Sequence, residues 1–230
     1  MQKRISIALD GPAGSGKSTI AKLVAHQLNY TYIDTGAMYR AITLKALRQS
    51  VDLNVPEQLT RLAEQTAIDL QYQSTGDGLI LRVILDGEDV SEAIRSLEVT
   101  NNVSVVAAVA GVRVALVKLQ QQMAREGGVV MDGRDIGTVV LPDADLKVFL
   151  TASVAERGKR RWLELQAKGV LVELEDLIQQ IERRDYFDSH RETDPLRQAP
   201  DALLLDTTDL TIDQVVRQIM DLALAKGAVL

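Results

Sequence analysis

The sequence predicts an α/β fold: a parallel sheet with helices on both faces, interrupted by a small inserted unit. Three observations predict it. Five short apolar runs alternate with helical periodicity along the chain. A glycine-rich loop separates the first run from the first helix. A pair of alternating strand patterns breaks the rhythm near the middle. Parallel strands need crossover helices that cover the sheet, so their sequences read as nearly continuous apolar runs.

In order, Ile5, Ile7 and Leu9 alternate and meet Asp10-Gly11, a strand running into a turn. Beyond the glycine loop Ile20, Leu23, Val24 and Leu28 recur at helical spacing. Tyr30 to Asp34 reads as a second strand, and Thr35-Gly36-Ala37-Met38-Tyr39-Arg40 opens a second helix carried by Met38, Ala41, Ile42 and Lys45. Ile68 to Tyr72 and Leu79 to Leu85 are strand-like, separated by Ser74-Thr75-Gly76-Asp77-Gly78, and Asp86-Gly87 marks a tight hairpin turn. One long helix is expected next, along Val99, Val103, Val106, Ala110 and Val117. Val129 to Asp132, Lys147 to Leu150 and Leu203 to Asp206 read as buried strands. A charged helical stretch from about Ala152 to Arg191 lies between the last two. Ile212, Val215, Val216, Ile219 and Leu222 form a closing amphipathic helix.

A chain of 230 residues suits one domain with an insertion and a lid. The reading divides it into a core (1–60, 100–151 and 192–230), an insert (61–99) and a lid (152–191). Aromatic residues are only 3%, so the core is aliphatic. Twenty-six basic against 32 acidic residues give a net charge of −6, which argues against a nucleic-acid partner. There is no cysteine, which excludes disulfides and thiolate chemistry. No run approaches the ~20 apolar residues of a membrane span. The first residues lack the apolar region of a signal peptide. A cytoplasmic monomer with small-molecule partners is expected.

Gly11-Pro12-Ala13-Gly14-Ser15-Gly16-Lys17-Ser18-Thr19 matches the full pattern of a nucleotide phosphate loop. Glycines let the backbone turn tightly and aim several N–H groups at one oxyanion, and the following helix adds its positive end. Lys17 supplies charge to the outer phosphates, Ser18 a hydroxyl for Mg2+, and Thr19 a further donor. The loop implies a triphosphate but not the reaction. A GTPase switch needs an Asn-Lys-x-Asp element, and the chain has neither an Asn-Lys pair nor an Asp-x-x-Gly.

Arginines supply the second clue, since their forks suit phosphate. Arg40 follows Asp34-Thr35-Gly36, and Arg113 lies on the expected long helix. Arg157, Lys159, Arg160 and Arg161 cluster late, followed by Arg183, Arg184 and Arg191 among Asp185 and Asp188. A helix-surface arginine is ordinarily solvated or paired with an acid one turn away. Arg134 is the exception. Asp132-Gly133-Arg134-Asp135-Ile136-Gly137 directly follows a buried strand, and ligands of open α/β sheets bind at strand carboxyl ends. Asp132 is placed to order Mg2+, with Arg134 and Asp135 facing an acceptor. Phosphoryl transfer needs positive charge, positioning and exclusion of water, which an arginine-bearing lid provides. Arg157 and Arg161, four apart, are expected on one lid face. A phosphate acceptor is itself the nucleophile. Trp162 is expected to pack, and the two histidines, His26 and His190, to act separately.

These segments resemble the bacterial cytidylate kinase family, which phosphorylates CMP and dCMP with ATP. The resemblance runs through Asp10 to Thr19, Asp34 to Arg40, Leu85 to Ser91, Val112-Arg113, Asp132 to Val140, Arg184 to Arg191 and Ala202 to Thr208. It implies a nucleoside monophosphate kinase fold with a five-stranded parallel sheet and an enlarged, mixed α/β monophosphate-binding insert. By the same resemblance Thr35, Arg113 and Asp135 read the cytosine edge. Arg40 and Arg134 hold the acceptor phosphate. Ser104, Arg184 and Asp188 contact the sugar, and Arg191 supports base or phosphate. Arg157 and Arg161 close over ATP, and Tyr39 lies against the acceptor base. Three positions depart from some members: Thr35 stands for Ser, Ser18 for Gly, and Arg113 is a single arginine where some carry two.

Overall fold

The computed structural model describes residues 4–75, 78–167 and 169–229. Strand β1 (Ser6–Asp10) is the middle of a parallel sheet and is buried from Ile7 onward. The phosphate loop follows it and feeds α1 (Lys17–Leu28), β2 (Thr31–Asp34) and α2 (Thr35–Arg48). Asp34 caps α2 by accepting the amide of Ala37 at 2.9 Å. The chain continues through α3 (Pro56–Glu64), β3 (Ile68–Thr75), β4 (Gly78–Leu85), β5 (Glu88–Asp89), α4 (Leu97–Ala108) and α5 (Ala110–Met123). It then returns through β6 (Val129–Gly133), a π-helical turn (Ile136–Val140), β7 (Leu146–Thr151), α6 (Val154–Ala167), α7 (Leu174–His190), β8 (Leu203–Asp206) and α8 (Ile212–Ala225).

The sheet order is β2-β6-β1-β7-β8, with every pairing parallel. The registers Asp10↔Gly133 and Asp34↔Asp132 bring the ends of β1, β2 and β6 side by side. The strand order changes direction about β1, so the loops after β1 and β6 line the crevice where α/β sheets bind ligands.

Strands β3, β4 and β5 form a separate antiparallel sheet. Leu81, Val83 and Leu85 are buried on one face of β4 while Arg82 is exposed, the expected period of two. Asp86 and Gly87 have φ of 49° and 90°, as a two-residue hairpin turn requires, and here the reading of the sequence holds. Of the expected separator, Ser74 and Thr75 belong to β3 and Gly78 to β4, while Gly76 and Asp77 lie outside the described residues.

Two expectations are corrected, that of one long middle helix and that of a buried last strand. The long helix is two helices, α4 and α5, bent by 95° at Val109, whose ψ of 117° is extended. The bend lets Val106 and Val112 both reach the core, although the apolar period runs through it unbroken. The charged stretch 152–191, expected to be helical, contains α6 and α7. Strand β8 is not buried: Leu203 and Leu204 are 46% and 60% exposed, because β8 is an edge strand paired with β7 alone. Residues 60/61 and 99/100, the expected edges of the insert, lie within α3 and α4.

Candidate active site

The phosphate loop adopts the conformation its glycines permit. Gly11 has φ of 146°, and a Cβ there would lie 1.9 Å from the carbonyl oxygen of Leu150 in β7. Gly16 caps α1 at φ 88° with no side-chain bond, leaving the first amides of the helix directed into the crevice. Lys17 is buried and folded along the loop, its Nζ donating to the Pro12 carbonyl at 2.7 Å and to Ser15 Oγ at 3.1 Å. Burial and the neighbouring Arg134 charge push its pKa well below the usual lysine range, against the pull of Asp132 and Asp10.

Asp132, at the end of β6, is the counterpart across the crevice. It accepts from Ser18 Oγ at 2.9 Å and from the Tyr32 hydroxyl at 2.7 Å. Burial, reinforced by the Asp34 charge, raises its pKa from 3.8 to about 6. A hydroxyl and a carboxylate are hard oxygen donors, and Mg2+ commonly takes one or two such protein ligands with phosphate oxygens completing its shell. Ser18 and Asp132 therefore fit the ion. Tyr32 was not singled out in the sequence, where it reads as a core residue of β2.

Beyond Asp132 the chain makes the tight turn that carries Arg134 and Asp135. Thr35 Oγ1 donates to the Asp132 carbonyl at 2.8 Å, so its hydroxyl holds the turn. Asp10 holds it from below: its two carboxylate oxygens accept the amides of Ile136 and Gly137 at 2.8 and 2.7 Å. Burial raises its pKa from 3.8 to about 6.

Arg134 pairs with Asp188 of α7 at 2.9 Å. Arg184, one turn earlier on α7, keeps a buried Nε with no hydrogen-bond partner among the described residues. Its burial and the Arg134 charge lower its pKa to about 10. A buried guanidinium edge without a partner beside a second arginine is suited to an anionic group. Arg40 donates to Thr100 Oγ1 at 2.8 Å and so joins α2 to α4. Arg113 is 1% exposed, pairs closely with Asp135, and donates to the Ala107 carbonyl at 3.2 Å, satisfying an end of α4 at the bend. Its guanidinium lies over the Tyr39 ring, 5.6 Å from the centroid. Arg191 Nη2 stands 3.7 Å from the other oxygen of Asp135.

One cavity of about 780 Å³ joins these groups. Ala13 to Thr19 line one end; Thr35, Tyr39, Arg40, Ser104, Arg113, Asp132, Arg134, Asp135, Arg184, Asp188 and Arg191 line the rest. Ten basic and six acidic side chains face it, a local positive excess in a protein of net charge −6. That balance suits two phosphorylated ligands.

The structure does not bring Arg157 to the cavity. Arg157 is 4% exposed; it donates to the Ala13 carbonyl at 2.9 Å and pairs with Asp185 at 2.5 Å. Asp185 in turn accepts the Ala13 amide at 3.3 Å. Helices α6 and α7 thus grip both polar groups of one loop residue. Four residues on one helix are offset by about 40°, enough to turn Arg157 inward while Arg161 faces the cavity. Arg161 pairs with Glu164 at 2.8 Å. Arg160 lines the cavity instead of Arg157 and donates to Thr207 Oγ1 at 3.1 Å. Trp162 is half-buried outside the cavity lining, its indole N–H donating to the Val172 carbonyl at 3.1 Å. His190 stacks on Tyr186, and His26 is exposed on α1.

The family model for cytidylate kinase matches residues 7–225. The cytidylate kinase of Bacillus licheniformis is 55% identical over 222 residues, which cover 96% of this chain and 97% of that one. That of Desulfitobacterium hafniense is 54% identical over 222 residues, covering 96% and 94%. A solved structure of an uncharacterized protein from Eubacterium ventriosum shares the fold, with a TM-score of 0.53 at 12% identity over 97% of this chain and 99% of its own. The sequence relatives and the joined two-ended cavity agree: this chain belongs to the cytidylate kinase family.

Proposed function

We infer that the protein transfers the γ-phosphoryl group of ATP to CMP or dCMP, giving ADP and CDP or dCDP. The observation that carries this reading is the single cavity with a phosphate loop at one end and an arginine-lined turn at the other. The loop amides and Lys17 bind the triphosphate. Arg134, Arg184 and Arg40 receive the acceptor phosphate, Ser104 and Asp188 the sugar, and Thr35, Arg113, Asp135 and Arg191 the base. The acceptor phosphate oxygen attacks the γ-phosphorus, and the bond to the β-γ bridging oxygen breaks. Charge in such a transition state spreads over the phosphoryl oxygens, so the cationic side chains lower the barrier and no protein nucleophile is required. Mg2+, held with the triphosphate by Ser18 and Asp132, supplies further positive charge when bound.

Arg160 and Arg161 serve as the lid cations, with Arg157 supporting the phosphate loop from behind. We place the enzyme in the cytoplasm, acting as a monomer on small nucleotides. A coupled ADP-release assay across CMP, dCMP, UMP, AMP and GMP tests the assignment. Faster turnover with the cytosine nucleotides is expected; equal use of all five would remove the substrate assignment.

A further inference from the structure

Behind the base end of the cavity, the loop after α7 passes through one left-handed residue, Asp194, at φ 47°. Asp and Asn tolerate that conformation better than other side chains. From this one position both the side chain and the carbonyl are used. The carboxylate accepts Arg113 Nε at 2.8 Å. The carbonyl accepts Arg191 Nε at 2.9 Å, and also its Nη2. Arg113, Arg191 and Asp135 line the cavity, whereas Asp194 stands outside the lining.

The geometry leaves each arginine little freedom. Arg113 is held at Nε by Asp194, at Nη1 by the Ala107 carbonyl and at Nη2 by Asp135. Removal of the Asp194 carboxylate leaves Arg113 Nε without its acceptor and two guanidinium groups with Asp135 as their shared carboxylate, so Arg113 can turn further onto Asp135. That matters for chemistry at the base. Cytosine carries an amino donor beside a ring-nitrogen acceptor; uracil carries an oxygen acceptor beside an N–H donor. A fixed pairing of a carboxylate with a guanidinium matches the first pattern and opposes the second. An arginine free to cover the carboxylate accepts either.

We propose that Asp194 is a positioning residue for nucleobase selection. It orients Arg113 with its carboxylate and Arg191 with its carbonyl, so that Asp135 and the two arginines present one fixed donor–acceptor edge. The proposal rests on the acceptor reading given above.

The test compares wild type with Asp194→Asn and Asp194→Gly, both compatible with a left-handed backbone. Steady-state constants are measured for CMP, UMP and ATP, with thermal unfolding alongside. The expected result is a fall of about tenfold in the CMP-to-UMP ratio of kcat/KM, carried mainly by KM for CMP, with KM for ATP within about twofold. Folded variants that keep the wild-type ratio would overturn the proposal. So would a parallel rise in the constants for CMP and ATP, or loss of folding in both variants, since each marks a general structural role. If wild type itself shows no cytosine preference, the acceptor reading fails and the role of Asp194 falls with it.

Discussion

Replacing Asp10 with Asn isolates the cost of its charge. The carboxylate accepts two amides of the π-helical turn, yet burial outweighs those bonds and raises its pKa from 3.8 to about 6. An acid whose pKa rises on folding is favoured in the folded state only as its neutral form. Above pH 6 both states are ionised and the folded protein carries the full penalty. The gap between 3.8 and about 6 is worth about 3 kcal/mol. As pH falls from 6 toward 3.8 the folded state binds its proton first, and the penalty fades. Asparagine copies the neutral acid, with one acceptor edge and one donor edge. Asp10→Asn is therefore expected to exceed wild type in stability by up to about 3 kcal/mol at pH 7.5 and to match it near pH 3.8. Urea unfolding across that range measures the difference. A variant less stable than wild type at pH 7.5 would refute the reasoning, because the two ionic hydrogen bonds would then exceed the burial cost. Transfer should nonetheless slow by about tenfold or more, since the turn carrying Arg134 and Asp135 loses one of its two acceptors.

Lys17→Ala should reduce turnover by about a hundredfold or more while circular dichroism and unfolding show an intact fold; near-normal turnover would contradict its role at the outer phosphates. Arg134→Ala should raise KM for the acceptor more than KM for ATP and lower the melting temperature, because it leaves the buried Asp188 without its 2.9 Å partner. Equal changes in both constants would argue against an acceptor role. Arg157→Ala, which frees the Ala13 carbonyl and Asp185, should weaken ATP binding by about tenfold in calorimetry and spare CMP binding. A selective effect on CMP would contradict its role at the phosphate loop.

Local pattern carries much of this fold. The strand-loop-helix order around Gly11 to Thr19 is written in adjacent residues, as is the Asp86-Gly87 turn, and both are found where the sequence places them. The turn after β6 stands out because charge directly follows a buried apolar strand. Features set by distant partners are less visible. Val109 carries no breaker chemistry, and its bend accompanies the packing of α4 mainly on α2 and of α5 mainly on α3. Leu203-Leu204-Leu205 has the composition of a central strand, but its place at the sheet edge is decided by strand order. Arg157 and Arg161 share a helix face by spacing, while the position of α6 over the phosphate loop sets Arg157 against the loop and Arg161 toward the cavity. Asp10, Asp185 and Asp194 each take at least one partner from more than eighty residues away, a connection that nothing beside them in sequence marks.

Strand β8 also bears on how the protein behaves at high concentration. A sheet edge with apolar side chains on view is a template on which a second chain can lay down a further strand. Leu203 and Leu204, on opposite faces of the strand, put apolar surface on both sides of this edge, and its four residues limit the length of any such growth. Asp206 closes the strand, and hydrogen bonds from the Thr208 hydroxyl and amide hold its pKa below the usual range. It therefore keeps its charge into mildly acidic conditions, where it acts as a gatekeeper: two edges that meet in parallel register must bring like charges together. A single carboxylate at the margin of the sheet, one residue before the cavity-lining Thr207, thus opposes edge-to-edge growth of this kinase.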